Sequence, residues 1–385
     1  GYALNAKETV DATEESPAVF LVRGTMAAGD ELISVSGKPV SGIHPCVEIM
    51  TGARFPEPFD CCVRVEDTTC FLDGSSKRPY VKMTKPARPQ QNRRLAGGDF
   101  KEGDVIVSAG TAITPAHIMA MASVGITEIE VLRKIKIAVF STGSELLPTD
   151  SMNQNAHRIR DANAPYVTAV LRDWGVDVDF LGVLDDDANS TVQKLRKYIN
   201  RREYDVIIST GAVSTGRFDT IPISLKQLNA RVIFHQIAIR PGHPALFGTV
   251  PGSRHGEIAY FGLPGNPVAT AACLRFLVNP YLRFLQGQQA EVPLKASIRG
   301  AENREANGLP TPPEDAQLIS SFPPDTDVFR AGILNRLSDG ALEVQLILDH
   351  SPGKVKPFAA SNCWIHIHRN TTELREGDAV DVFPT

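Results

Sequence analysis

Three glycine-punctuated polar stretches have the composition to hold an anion: Ser141-Thr142-Gly143-Ser144-Glu145, Ser209-Thr210-Gly211-Ala212-Val213-Ser214-Thr215-Gly216 and Gly262-Leu263-Pro264-Gly265-Asn266-Pro267. Glycine removes the Cβ that would keep backbone N–H groups away from a phosphate. A helix that follows such a loop adds the positive end of its dipole. One loop of this kind reads as an ordinary turn; three together read as a phosphate site. Ser209, Gly211, Ser214, Gly216, Pro264, Gly265, Asn266 and Pro267, together with Gly242 of a further loop, are the candidate binding residues.

Carboxylates fall beside the same loops: Glu145, Asp161, Asp186, Asp187 and Asp219. Acids next to a phosphate make sense when a divalent cation bridges them, and Mg²⁺ is usually held by one or two carboxylates plus substrate oxygens. All five stand as candidate metal ligands on this reading. One or two of the five are expected to be helix caps or solvent-facing acids, above all in Asp185–Asp187. Arg240-Pro241-Gly242-His243-Pro244 offers a cation for an oxyanion, with Pro241 fixing its own φ and Gly242 allowing a tight turn. The alternative is a surface Arg and His in a turn. His235 and the pair His366/His368 are read as residues without metal-ligand company.

The elements that must position these residues follow from periodicity. Residues 135–290 alternate apolar strands (Ile135–Phe140, Val176–Leu184, Asp205–Ser209, Val232–Ile239, Ile258–Gly262) with amphipathic helices. Val167, Val170, Leu171 and Trp174 mark one helix, Val192, Leu195 and Ile199 a second, Ile221, Leu225 and Leu228 a third, and the last opens at Asn266-Pro267. This predicts a central doubly wound, mostly parallel sheet whose ligands bind beyond the carboxyl ends of the strands. Residues 1–98 are rich in Pro, Gly and short β-type runs, and read as an N-terminal β-module. Residues 99–134 carry one helix start at Thr114-Pro115 with Gly125 as its stop, and read as a short helical linking domain, the remnant of a truncated N-terminal domain. Residues 291–385 alternate in a β manner at Leu342–Leu348, Cys363–His368 and Ala379–Phe383, and read as a C-terminal β-domain; Leu309–Pro324 reads as a loop within it. The fold class is multidomain α/β plus β.

With 40 Lys and Arg against 44 Asp and Glu, the net charge is −4. No broad basic field therefore draws nucleic acid or an anionic membrane. The six cysteines form no C-x-x-C pair, so they read as reduced thiols and not as a zinc or disulfide framework. No apolar run reaches the roughly 18 residues of a membrane span. No signal peptide is visible, and the expected location is the cytoplasm.

In this order STGSELL (141–147), RIRDAN (158–163), STGAVSTGRFD (209–219), RPGHP (240–244) and GLPGNPV (262–268) resemble segments of the molybdopterin molybdenumtransferase family, to which the E domain of gephyrin belongs. MTGARFP (50–56) with Glu66 and NRRLAGGD (92–99) resemble its N-terminal motifs, and Gly1-Tyr2-Ala3 resembles the end of a D-G-Y-A motif whose Asp would precede residue 1. The likeness is detailed to about residue 287 and faint beyond it. It implies a homodimer with four domains per chain. It also implies a reaction in which adenylylated molybdopterin and molybdate give molybdenum cofactor, with AMP released and a divalent cation such as Mg²⁺ required. By position, the family's functional residues fall on Thr51, Asp99, Glu145, Asp186, Asp219, Arg240, Pro264 and Pro267, with Glu145, Asp186 and Asp219 as the implied metal ligands; molybdopterin adenylyltransferase is a candidate protein partner. The chain departs from the family at Ala212, Arg217, Arg240 and Ser144, where glycine, an acid, lysine and aspartate are usual. Those changes leave open a non-enzymatic relative acting as a pterin- or nucleotide-binding or scaffolding module. An adenylyltransferase and a nucleotide amidohydrolase on the same α/β domain are weaker alternatives.

Overall fold

The computed structural model describes residues 1–74, 77–147, 158–214, 216, 219–253, 256–299, 318–347 and 351–385. Thr215, Arg217, Leu348 and residues 309–317 of the expected loop lie outside them. Two compact units are distinguished: residues 1–108 with 114–127, and residues 109–113 with 128–385.

The first unit is built on strands β1 (Tyr2–Leu4), β2 (Ala18–Met26), β3 (His44–Ile49), β4 (Cys61–Val63), β5 (Thr69–Leu72) and β6 (Pro79–Met83), in the order β4-β1-β3-β2-β6-β5. The period of two sorts its side chains: Tyr2 and Leu4 pack with Phe20, Val81 and Met83 on one face, while Ala3 packs with Met26, Val47 and Phe59 on the other. Helix α1 (Pro115–Ser123) starts as its sequence dictates, with Thr114 Oγ1 accepting from His117 N and His117 Nδ1 accepting from Thr114 N. Gly125 stops it at a φ of +80°.

In the second unit a six-stranded sheet runs β10-β7-β11-β15-β14-β12. Its chain order is β7 (Lys136–Thr142), the two-residue pair β8 (Leu146–Leu147) and β9 (Ile159–Arg160), α2 (Asn163–Asp173), β10 (Asp177–Leu184), α3 (Ala188–Ile199), β11 (Val206–Thr210), α4 (Ile221–Gln227), β12 (Arg231–His235), β13 (Ile239–Arg240), β14 (Leu246–Ser253), β15 (Gly256–Leu263), α5 (Pro267–Cys273) and α6 (Asn279–Leu285). Strands β10, β7, β11 and β15 are parallel; β14 is antiparallel to β15, and β12 to β14. The sheet is apolar on both faces, as parallel sheets are. Ile137, Val139 and Ile208 pack with Val167, Leu171 and Leu274 on one side, and Ala138, Phe140 and Ile207 with Val192, Leu195 and Leu225 on the other.

Two strand expectations need correction. Val232–Ile239 is not one strand: β12 ends at His235, and Ile239–Arg240 pairs with a different sheet. Strand β14 was not expected, because Gly248, Pro251 and Gly252 argue against a strand interior. It accommodates them beside a register shift between Pro251 and Ser253.

The remaining elements are β16 (Leu294–Arg299), β17 (Leu318–Ser321), β18 (Asp327–Arg336), β19 (Leu342–Leu346), α7 (Val355–Ala359), β20 (Cys363–Ile367), β21 (Glu373–Arg375) and β22 (Ala379–Pro384). β18, β19, β16, β22 and β20 close into a ring through the β18–β20 pairing, and β13 adds to β18. Closure leaves no bare edge among those five strands. Val344, Ile365 and Val382 fill the interior.

Candidate active site

The first loop leaves β7 at Thr142. Gly143 has a φ of +126°, and a Cβ there would strike the Glu145 carboxylate. Ser144 N donates to Asp186 Oδ2 at 3.0 Å, which ties this loop to the end of β10. The second loop leaves β11 at Thr210, whose carbonyl accepts from Thr142 Oγ1 at 2.9 Å. Gly211, at a φ of +88°, leaves no room for a side chain, since a Cβ would lie 2.5 Å from Thr142 Oγ1. Beyond it, Gly216 N donates to Asp219. The third loop leaves β15 at Leu263, whose carbonyl accepts from Gly211 N at 2.9 Å. Thr270 Oγ1 and Asn163 Nδ2 fasten it by donating to the carbonyls of Pro264 (2.5 Å) and Gly265 (2.8 Å).

These loops enclose a cavity of about 710 Å³ at the carboxyl edge of the parallel strands. Thr142, Ser144, Glu145, Asn163, Asp186, Gly211, Ala212, Ser214, Asp219, Pro244, Pro264, Gly265 and Asn266 are among its lining residues. Among the described residues, no Lys or Arg lies within 4.0 Å of the Glu145, Asp186 or Asp219 carboxylates. Their oxygens do not all fall within 4.8 Å of one another; the described trio that does is Asp327, His366 and His368. That trio corrects the expectation that His366 and His368 have no ligand company.

The other two acids are structural. Asp161 is buried and accepts from Ser141 Oγ at 2.5 Å and from the Asn163 and Ala164 amides at 3.0 Å, which starts α2. Asp187 accepts from Ser190 N at 2.7 Å and caps α3.

Ser209 does not line the cavity; its buried hydroxyl accepts from Tyr260 at 2.9 Å. Burial pushes the Tyr260 phenol above its ordinary value, against its bond to Ser209, so it stays a donor beneath the loops. His235 Nε2 lies 2.7 Å from the Val213 carbonyl and braces the second loop from behind. Pro267 opens α5, and Gly242 (φ +122°) is packed so that a Cβ would meet Cys273 Sγ at 2.5 Å. Thr51 and Asp99 belong to the first unit, where each is exposed.

Arg240 is not at the carboxyl edge of the central sheet. It lies in β13, opposite Val328 of β18. There it stands near Arg330, which burial and then the charge of Arg240 push down to about 10. Neither guanidinium has an acidic partner within 4.0 Å among the described residues. Arg330, Pro241, Val268, Ser351 and Lys354 line a small cleft, next in sequence to the third loop through Val268. Asn163 and Arg330 escaped sequence reasoning: an Asn at a helix start reads as a cap, and a lone Arg in a strand carries no motif.

Three family descriptions match the chain: the MoeA N-terminal region (domain I and II) over residues 1–125, the probable molybdopterin binding domain over 138–284, and the MoeA C-terminal region (domain IV) over 317–385. A molybdopterin molybdenumtransferase of Staphylococcus aureus (strain COL) is 30% identical over 387 aligned residues, covering 100% of this chain and 83% of that protein. A relative from Staphylococcus epidermidis with the same name is 29% identical over the same share. The crystal structure of a molybdopterin biosynthesis MoeA protein from Pyrococcus horikoshii superposes with a TM-score of 0.73 at 26% identity, covering 100% of this chain and 85% of that one.

Proposed function

The chain belongs to the molybdopterin molybdenumtransferase family, and on that premise we propose that it inserts molybdate into adenylylated molybdopterin, releasing AMP and giving molybdenum cofactor. The observation that carries the reading is the cavity at the carboxyl edge, where three glycine loops meet three carboxylates that no Lys or Arg neutralises among the described residues. An all-oxygen donor set suits a hard cation such as Mg²⁺. Because Glu145, Asp186 and Asp219 do not converge on one point, phosphate oxygens of the substrate would complete the shell. When bound, the cation would offset charge developing on the phosphate that leaves as AMP.

The protein's own groups do the positioning. Gly211 lets the second loop close onto Thr142 and Gly265 packs beside Gly211, while the Asp186–Ser144 and Asn163–Gly265 bonds fix the loops relative to each other. The Arg240–Arg330 pair is the proposed molybdate subsite. Two guanidinium groups without an acidic partner among the described residues, one of them half-buried, repel each other, and an oxyanion between them relieves that repulsion. The family resemblance adds a homodimer in which Thr51 and Asp99 of one copy complete the site of the other; a monomeric mass by light scattering with full activity would reject it.

The test is AMP release from adenylylated molybdopterin with and without Mg²⁺, beside calorimetric titration with AMP. Metal-dependent release supports the reading. AMP binding without any release would favour a second reading, a binding or scaffolding module. Ala212 is the observation behind that one: it takes a φ of +52° where the family has glycine.

A further inference from the structure

Far from the glycine loops in sequence, the C-terminal ring places three potential ligands together. Asp327 opens β18, His366 lies in β20, and His368 follows that strand. The antiparallel pairing sets Phe329 opposite His366, so the two-residue alternation brings Asp327, His366 and His368 to one face. Their ligand atoms all lie within 4.8 Å of one another.

Each neighbouring carboxylate is divided between two duties. Asp327 Oδ1 is 2.9 Å from His366 Nε2 and accepts from Arg369 N at 3.3 Å, while the Arg369 guanidinium holds Oδ2 at 2.7 and 3.0 Å. Asp381 Oδ2 is 2.7 Å from His368 Nε2, while Lys295 holds Oδ1 at 2.5 Å. The cations orient the carboxylates and leave their inner oxygens facing the imidazoles, an outer-shell arrangement typical of metal sites. The imidazole centroids are 4.0 Å apart, and Phe329 stacks on His366 at 4.7 Å.

We propose that Asp327, His366 and His368 bind a first-row divalent transition ion, Zn²⁺ by preference, which staples β18 to β20. Two imidazoles with one carboxylate select zinc-like ions over Mg²⁺. Zinc bonds of roughly 2.0–2.2 Å place neighbouring tetrahedral donors about 3.3 Å apart. The Asp327–His366 spacing is near that value, and the metal takes the place of the proton they share. His368 closes in by rotation, which its exposed ring permits, and Asp381 or water takes the fourth position. Two imidazolium ions this close would repel each other, whereas two neutral rings sharing a metal do not. This site is independent of the activity proposed above.

The experiment titrates the EDTA-treated full chain with Co²⁺ and with Zn²⁺, following the visible d–d absorption of tetrahedral cobalt and the melting temperature. Expected is one ion per chain with nitrogen and oxygen ligation, no thiolate charge-transfer band, and a raised melting temperature. His368→Ala, a change at an exposed side chain, and Asp327→Asn, which keeps size and shape, should each weaken binding at least about tenfold. Asp186→Asn with Asp219→Asn should leave the cobalt band unchanged. No saturable binding overturns the proposal, as does undiminished, wild-type affinity in both His368→Ala and Asp327→Asn. A band that vanishes in the Asp186/Asp219 variant would place the ion in the other cavity and overturn it too.

Discussion

The central sheet has two edges, both carrying acids and both hollowed, yet they differ in how charge is met. At the carboxyl edge, Asp186 and Asp219 accept from backbone amides of Ser144 and Gly216, and among the described residues no basic side chain reaches them. At the amino edge, an open hollow of about 460 Å³ is lined by Arg133, Lys134, Lys136, Asp177, Arg202, Glu203 and Asp205. There the acids are paired: Arg133 grips Asp205 at 2.6 and 2.7 Å, and Lys136 lies 3.6 Å from both Asp179 and Glu203. A neutralised edge has no electrostatic demand left for a ligand. An edge of unneutralised carboxylates retains one, and a cation with its phosphate meets it. The difference teaches that a hollow and its acids do not make a site; acids without a basic side chain to neutralise them do.

The sharpest way to break this comparison is at the carboxylates. Asp186→Asn and Asp219→Asn should each lower metal-dependent AMP release on the order of 10²-fold or more, the cost of losing charge stabilisation in a preorganised site. Denaturant midpoints should move little. Wild-type turnover and metal dependence in both variants would remove the distinction between the edges.

Arg240→Ala should cost about 2–4 kcal/mol in kcat/KM if its guanidinium meets the oxyanion, whereas Arg240→Lys, the family's usual residue, should keep partial activity. Equal, near-wild-type rates and molybdate dependence for the two would reject the role. Gly211→Ala should destabilise the fold by about 2–3 kcal/mol in urea denaturation, from a left-handed backbone and a collision with Thr142 Oγ1. The opposite change, Ala212→Gly, should cost no stability and gain up to about 1 kcal/mol, since a left-handed alanine is relieved while glycine adds unfolded-state entropy. Tighter AMP binding in that variant would identify Ala212 as a brake on phosphate approach.

Smallest at neutral pH are the amino-edge changes. Arg133→Ala should cost about 0–1 kcal/mol, because its side chain is 54% exposed and such pairs are screened, and it should leave AMP release untouched. Tyr204 donates to Asp179 at 2.9 Å, and burial first, then that bond, push its phenol above its ordinary value. A raised pKa favours the protonated fold. Its contribution is therefore present below the unfolded value of about 10 and is lost as pH rises through the folded value. Stability measured by denaturant should fall above about pH 10, and less steeply in Tyr204→Phe. An unchanged slope in that variant would assign alkaline unfolding to other buried phenols.

Sequence alone determined the alternation that builds the parallel sheet, the three glycine loops at its carboxyl ends and the capped helix at Thr114. Each depends on local rules: period, cap and turn residue act within a few positions. Local pattern could not sort the five acids, and only the family resemblance singled out Glu145, Asp186 and Asp219: an Asp bonded to the first amides of α2 and an Asp that faces a cavity are the same residue with different neighbours. Nor could it place Arg240. The run before it is interrupted only by His235-Gln236 and reads as one strand, whereas pairing of Ile239–Arg240 with β18 rather than β14 takes it into another sheet. The Asp327–His366–His368 cluster was hidden for the same reason. Its members are 39 and 41 positions apart in sequence (366 − 327 and 368 − 327), and their meeting is set by strand register in a closed ring, a long-range choice that no local pattern encodes.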